Sequence, residues 1–292
     1  MTSLIGNAPV DGVDVAALLG IPISAEQERA VQAPLKPCAV IAGAGTGKTT
    51  VMAARVVWLV ASRLVSPEEI LGLTFTNKAT AELSERIESN LTRVGLLTSE
   101  QPRPTVATYD SFAGTLVNDY GAWDGISTGA HLITGARAYQ LAAEVVMGLD
   151  KAPLAATHMG PTFIAQAVVK LAGAMASHDA SPGKVRRADA RWRQMLLAAP
   201  TKRRGDRYAD IDKWLSRVDE REELLDLVAA YQNLKKERGL VEFGDRMVQA
   251  LHLVTHHPRV GEELRARYRV VLLDEYQDTS SAQADVLAAL FS

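Results

Sequence analysis

The run Ala42-Gly43-Ala44-Gly45-Thr46-Gly47-Lys48-Thr49-Thr50 joins closely spaced glycines to a lysine and two hydroxyl side chains. Glycines let the backbone turn tightly and aim successive N–H groups at one point, where an anion can sit. A lysine beside them can neutralise phosphate charge, and a threonine hydroxyl directly after it can ligate Mg2+. This is the chemistry of a phosphate-binding loop, with Ala44, Gly45, Thr46, Gly47, Lys48, Thr49 and Thr50 as its expected contacts. The strict pattern begins with Gly, and this chain has Ala42 there, a slightly looser match. Far downstream, the apolar run Arg269–Leu273 ends in Asp274-Glu275. Two carboxylates at the end of a buried strand are expensive without a cation or donor partner. Asp274 is the expected Mg2+ ligand opposite Thr49, and Glu275 the base that orients and deprotonates an attacking water.

The elements around these residues have the required order. Apolar Cys38-Ala39-Val40-Ile41 reads as a strand entering the loop, and a helix runs from near Gly47 through Val60. Ser24-Ala25-Glu26-Gln27 has the spacing of a capping box with Gln27 at N3. An amide that both donates and accepts also suits the edge of adenine, so Gln27 has two readings. Ile70–Thr76 reads as a buried parallel strand, and Asn77 as the cap of a helix to about Arg93. Val106–Tyr109 is another short strand, followed by a helix from Ser111 to Tyr120. Such alternation predicts an α/β fold with a parallel sheet. From about 121 to 239 helical segments dominate, so the expected organisation is a discontinuous α/β domain, 1–120 and 240–292, split by a helical insertion.

The chain has 292 residues, 47% of them hydrophobic, and a net charge of -2. It has the material for a packed core and no global attraction to nucleic acid or membrane, so any basic footprint must be local. Lys184 to Arg207 holds nine basic residues against two acidic ones, with Trp192 among them. That fits a phosphate-backbone surface with a stacking aromatic, and it equally fits a patch neutralised by the acid-rich stretch Asp210–Asp226. The one cysteine, Cys38, reads as a small buried hydrophobe. His252 and His256 have helical metal-pair spacing, yet Pro258 predicts a helix end, and surface histidines are the expected reading. The N-terminus lacks signal-peptide character and no apolar run approaches membrane-spanning length, so a cytoplasmic protein is expected.

The phosphate loop, then Leu73-Thr74-Phe75-Thr76-Asn77-Lys78-Ala79, then Asp274-Glu275-Tyr276-Gln277-Asp278-Thr279 resemble, in family order, the motifs of superfamily-one DNA helicases of the UvrD/Rep/PcrA and RecB type. The run Met52–Val60 looks most similar to helicase subunits of actinobacterial AdnAB-type helicase–nucleases. The resemblance implies a RecA-like fold, ATP and Mg2+ as cofactors, and coupling of ATP hydrolysis to 3′-to-5′ movement on single-stranded DNA or at duplex–single-strand junctions. It implies a role in repair or recombination, with a partner helicase or nuclease subunit. Gln27 would read adenine, and Gln277 would sense the γ-phosphate, giving Lys48, Asp274, Glu275 and Gln277 as catalytic residues. Phe75, Thr76 and Asn77, with Thr108 and Ser111, would touch DNA. The family commonly has His where this chain has Asp110, an acid that would repel phosphate. The Gly-Asp-x-x-Gln-Ser motif and second RecA-like domain of the family do not occur in these residues. The resemblance therefore implies that the 292-residue chain alone hydrolyses ATP very slowly. A stand-alone nucleotide-dependent switch or single-stranded-DNA-binding module without motor activity is the alternative.

Overall fold

A computed structural model describes residues 12–43, 45–127, 129–150, 160–202 and 206–292. Ala44 of the phosphate loop and Arg203 and Arg204 of the basic stretch lie outside the described residues. The chain divides into two compact units. One runs to Phe112 and resumes over His257–Thr279 and Leu290–Ser292; the other comprises Ala113–His256 and Ser280–Ala289.

The first unit is built on three parallel strands, β1 (Ile70–Thr74), β2 (Thr105–Thr108) and β5 (Val270–Leu273), in the order β2-β1-β5. β3 and β4 belong to the second unit. Register pairs Thr74 with Thr108 and Leu73 with Leu273, so all three carboxyl ends finish level. Every residue of β1 is buried, as a central strand between two parallel neighbours should be. Helices α1 (Val15–Leu19), α2 (Ala25–Val31), α3 (Lys48–Ala61) and α4 (Asn77–Arg93) surround it. Val56, Val57 and Leu59 of α3 share a core with Leu83, Ile87 and Leu91 of α4. The α4 residues recur at i, i+4, i+8, the spacing of one helix face.

Three expectations change here. Cys38–Ile41 forms no strand; Val40 is 53% and Ile41 98% exposed, and Cys38 is exposed too. Apolar character makes a segment suited to burial, but a strand also needs a neighbour whose free N–H and C=O groups match its own, and the run makes no ladder pairing. The N-cap of α4 is Thr76, not Asn77: Thr76 is still extended (φ -128°, ψ 148°), and its hydroxyl accepts from Ala79 N–H at 3.1 Å. A helix absent from the sequence reading, α11 (Pro258–Arg267), starts on the proline that ends its predecessor, because proline costs nothing at the first helical position.

The second unit is mainly helical. It includes α6 (Gly135–Met147), α7 (Pro161–Ser177), α8 (Pro182–Leu197), α9 (Ala209–Glu237) and α10 (Phe243–His256), following α5 (Tyr109–Tyr120). A two-residue parallel pair, β3 (His131–Leu132) and β4 (Leu240–Val241), ties its ends. Its core joins Leu141 and Ala142, Ile164 and Val168, and Leu225, Val228 and Tyr231. The stretch 209–237 is a single helix of 29 residues, and Ser216–Asp219 contains neither glycine nor proline to break it. Lys235 is 2% exposed and pairs with Glu242 and Asp245 at 2.6 Å each, the compensation a buried ammonium requires. Part of the basic stretch is neutralised within this unit. Arg186 holds Glu222 and Asp226, Arg193 holds Asp219, and Arg207 holds Asp212. The last helix is α12 (Ser281–Phe291). Among the described residues, no helix is long and apolar enough to cross a membrane.

Candidate functional site

The phosphate loop turns through two left-handed glycines, Gly45 (φ 75°) and Gly47 (φ 84°), a region that residues with a Cβ rarely enter. Gly47 is the N-cap of α3 and offers no side-chain cap, so the first N–H groups of a 14-residue helix remain directed at the loop. Lys48, Thr49 and Thr50 form that helix's first turn. Thr46 closes the loop on itself, its hydroxyl donating to Gly43 C=O at 2.8 Å.

Gln27 satisfies the capping reading in full and extends it. Its Oε1 accepts from Ser24 N–H at 2.9 Å, while its own N–H donates to Ser24 Oγ at 3.2 Å. Its Nε2 donates to Thr46 C=O at 3.0 Å, which fastens α2 to the phosphate loop. A Cβ on Gly47 would come within 3.2 Å of that nitrogen, a second reason for glycine there. Two arginines that sequence reasoning left without a role brace the same region. Arg55 donates to Val31 and Ala33 C=O at 2.8 Å each, capping the carboxyl end of α2, and burial lowers its pKa. Arg86 on α4 donates to Thr50 Oγ1 at 2.9 Å. Nothing local in the sequence links residues so far apart.

The acidic pair stands at the carboxyl end of β5, where Asp274 N–H continues the ladder to Leu73 C=O at 2.9 Å. Glu275 then takes a left-handed conformation (φ 48°, ψ 39°), uncommon for a side-chain-bearing residue. Its Oε1 lies 3.3 Å from Lys48 Nζ, and its Oε2 accepts from Gln277. Thus Lys48, Glu275 and Gln277 are brought together, while Asp274 occupies the adjacent position. Burial and the neighbouring Glu275 charge hold the Asp274 carboxyl above its usual range. Hydrogen bonds from Gln277 and Lys48 hold Glu275 below its own. Mg2+ is usually held by one or two carboxylates completed by water and phosphate oxygens. The Asp274 carboxylate, penalised by burial, and the Thr49 hydroxyl are of the types it needs.

The predicted DNA contacts lie along the same ends of the sheet. Phe75 follows β1 and packs on Tyr109, ring centroids 4.8 Å apart. The Tyr109 hydroxyl donates to Asp274 C=O at 3.1 Å, and burial raises its pKa further above the phenol range. Tyr109 therefore connects the rim to the acidic pair, a role that its place inside a motif did not reveal. Thr76 and Asn77 are exposed, though the Thr76 hydroxyl is engaged as the α4 cap. Thr108 Oγ1 accepts from Ser111 N–H at 3.0 Å and donates to Ser111 Oγ at 2.8 Å, so these two form the cap at the start of α5. Asp110 sits within that first turn. His252 and His256 are stacked at 3.9 Å, and among the described residues no group of three or more His, Cys, Asp or Glu could hold a metal.

A profile of the UvrD/REP helicase N-terminal domain matches residues 23–292. The chain is similar to DNA helicase II of Rickettsia typhi, 26% identical over 272 residues that cover 92% of this chain and 36% of that protein. It is similar to the ATP-dependent DNA helicase UvrD1 of Mycobacterium leprae, 27% identical over 89% of this chain and 29% of that protein. It is also 28% identical to DNA helicase II of Haemophilus influenzae over 93% of this chain and 32% of that protein. The chain thus spans about a third of the length of these curated relatives.

Proposed function

The chain belongs to the UvrD/REP helicase N-terminal domain family, and we propose that it is the ATP-binding part of a DNA helicase that couples ATP hydrolysis to 3′-to-5′ movement on single-stranded DNA in repair or recombination. The observation that carries this reading is the 3.3 Å contact between Lys48 of the phosphate loop and Glu275 at the carboxyl end of β5. It unites a phosphate cradle and a candidate base at the end of a parallel sheet where ligands of such folds gather.

In this reading the loop N–H groups from Gly45 to Thr50 and the Lys48 ammonium bind the β- and γ-phosphates. Thr49 and Asp274 would hold Mg2+, which would neutralise phosphate charge. Glu275 orients a water and takes its proton as the water oxygen bonds to the γ-phosphorus and the bond to ADP breaks. Gln277 fixes the Glu275 carboxylate that it already touches and senses the γ-phosphate. Gln27 reads adenine while holding the loop carbonyl of Thr46. Phe75, Thr76, Asn77, Thr108 and Ser111 meet single-stranded DNA along the rim. Residues 1–120 and 240–292 are assigned to the RecA-like domain and 121–239 to its helical insertion, with α10 and most of α12 belonging to the compact unit of that insertion. The likeness of Met52–Val60 to AdnAB-type subunits favours a partner helicase or nuclease subunit.

The 292-residue chain alone should bind nucleotide yet turn over slowly, since a missing arginine finger costs roughly 10³–10⁵ in such reactions. The test is a comparison of Glu275→Gln with the unaltered sequence in the full-length protein. Binding of ATP should persist while DNA-stimulated hydrolysis falls by about 10²-fold or more. Hydrolysis undiminished by Glu275→Gln would overturn the assignment.

A further inference from the structure

The helical unit exposes two tryptophans side by side. Trp192 on α8 is 54% exposed and Trp214 on α9 49% exposed, with ring centroids 6.3 Å apart. The Arg217 guanidinium lies over the Trp214 ring at 5.7 Å, and Met195, 71% exposed, stands one turn from Trp192. Indole rings left this open in water are costly for a surface with no partner. The ion pairing around them is selective. Arg186, Arg193 and Arg221 are tied to acids across the α8–α9 seam. Arg191, Lys213 and Arg217 form no ion pair among the described residues.

We propose that this tryptophan–arginine surface of α8 and α9 binds single-stranded nucleic acid, its rings stacking on bases and Arg191, Lys213 and Arg217 facing phosphates. The inference rests on the reading of the chain as part of a DNA-handling ATPase, and it adds a contact remote in sequence from every motif of the sheet rim. Charge complementarity selects the occupant: the Arg217 guanidinium over the Trp214 ring, with exposed Arg191 and Lys213 next in sequence to the two tryptophans, matches the alternation of phosphate and base along a strand. The acid-paired arginines contribute little to such binding, so the stretch Lys184–Arg207 is less a DNA surface than its nine basic residues imply.

The experiment is anisotropy of a fluorescein-labelled oligothymidylate titrated with the 292-residue chain at several salt concentrations. Stacking predicts that Trp192→Ala and Trp214→Ala each weaken binding roughly 5- to 150-fold with the salt slope unchanged. Arg191→Gln should flatten the slope by about 0.7. Quenching of tryptophan emission by the oligonucleotide in the unaltered chain gives a readout that requires no variant to fold. Binding that persists unchanged in both tryptophan variants, without quenching, overturns the proposal and leaves the helicase reading intact. Absence of any oligonucleotide binding overturns both. Self-association that Trp192→Ala abolishes, with no quenching by DNA, would assign the surface to a second copy of the chain and overturn it as well.

Discussion

At the scale of single residues, Asp274 and Glu275 differ in environment more than in chemistry. Glu275 is held low by Gln277 and Lys48, so its contribution to stability is present above its unfolded pKa and fades as pH falls through the folded one. Asp274 is held high by burial and by Glu275, so the folded chain keeps that proton to higher pH than the unfolded chain does. The stability its proton brings is complete below the unfolded value, about 4, and is lost as pH rises through the folded pKa. Asp274→Asn should therefore melt at or above the temperature of the unaltered chain at neutral pH, with the gap closing toward pH 4, while losing hydrolysis in the full-length protein. A melting temperature that falls at neutral pH would show that Asp274 is stabilising as a carboxylate. Gln27 permits a cleaner separation of roles. Gln27→Glu keeps the acceptor for Ser24 N–H but replaces the donor to Thr46 C=O with a second oxygen. It should keep the cap at the helix start, lower the melting temperature through the lost tie to Thr46 C=O, and weaken binding of a fluorescent ATP analogue. Gln27→Ala should weaken binding and also destabilise the helix start, by roughly 1 kcal/mol on the scale of lost caps. Equal nucleotide affinity in all three would remove Gln27 from the site.

At the scale of elements, contacts between helices decide what composition leaves open. Gly244, in the first turn of α10, lies where an added Cβ would come within 2.8 Å of the Ala176 Cβ on α7. Alanine gains up to about 1 kcal/mol over glycine in a helix interior and less in a first turn. Overpacking costs about 1–3 kcal/mol, and Ala176 has no flexible end to move aside, so the clash wins. Gly244→Ala should lower the melting temperature by roughly 2–10 °C, and Ala176→Gly should restore much of it; unaltered melting of the single variant would mean that α7 and α10 are not packed this closely. The sequence made this glycine visible only as a letter near an acidic residue. Alternation of apolar strands and capped helices did predict β1, α3, α4 and β5, because each carries its own periodicity and ends. Cys38–Ile41 misled because its apolar character lacked a pairing edge. Arg55, which caps α2 from α3, left no trace in any local pattern.

At the scale of the whole chain, the sheet side of the candidate site was legible because three of its motifs lie at strand ends, whereas the strand expected ahead of the phosphate loop does not form. A parallel sheet places every strand's carboxyl end on one side, so Phe75, Thr108 and Asp274 had to emerge together once their strands paired. Charge was less legible, since composition counts arginines without showing the acids across a helix seam that neutralise them. The division into two units with separate cores has a consequence for nucleotide binding. A ligand that binds only folded chain stabilises it by RT ln(1 + [L]/Kd), about 2.7 kcal/mol at a hundredfold excess over Kd. That stabilisation should reach amides whose exchange requires opening of the site, and leave those with independent openings unchanged. With Mg-ATP, hydrogen exchange should therefore slow in α2, in Gly45–Ala61 and in Asp274–Asp278, where Gln27, Lys48 and Glu275 converge. Arg86 extends the effect to the middle of α4 through Thr50. Helices α7, α8 and α9, whose core is built from Ile164, Val168, Leu225 and Val228, should exchange at an unaltered rate. Protection spread evenly over both units would mean that the two cores open together, and protection absent from Gly45–Ala61 would mean that the loop does not hold the phosphates.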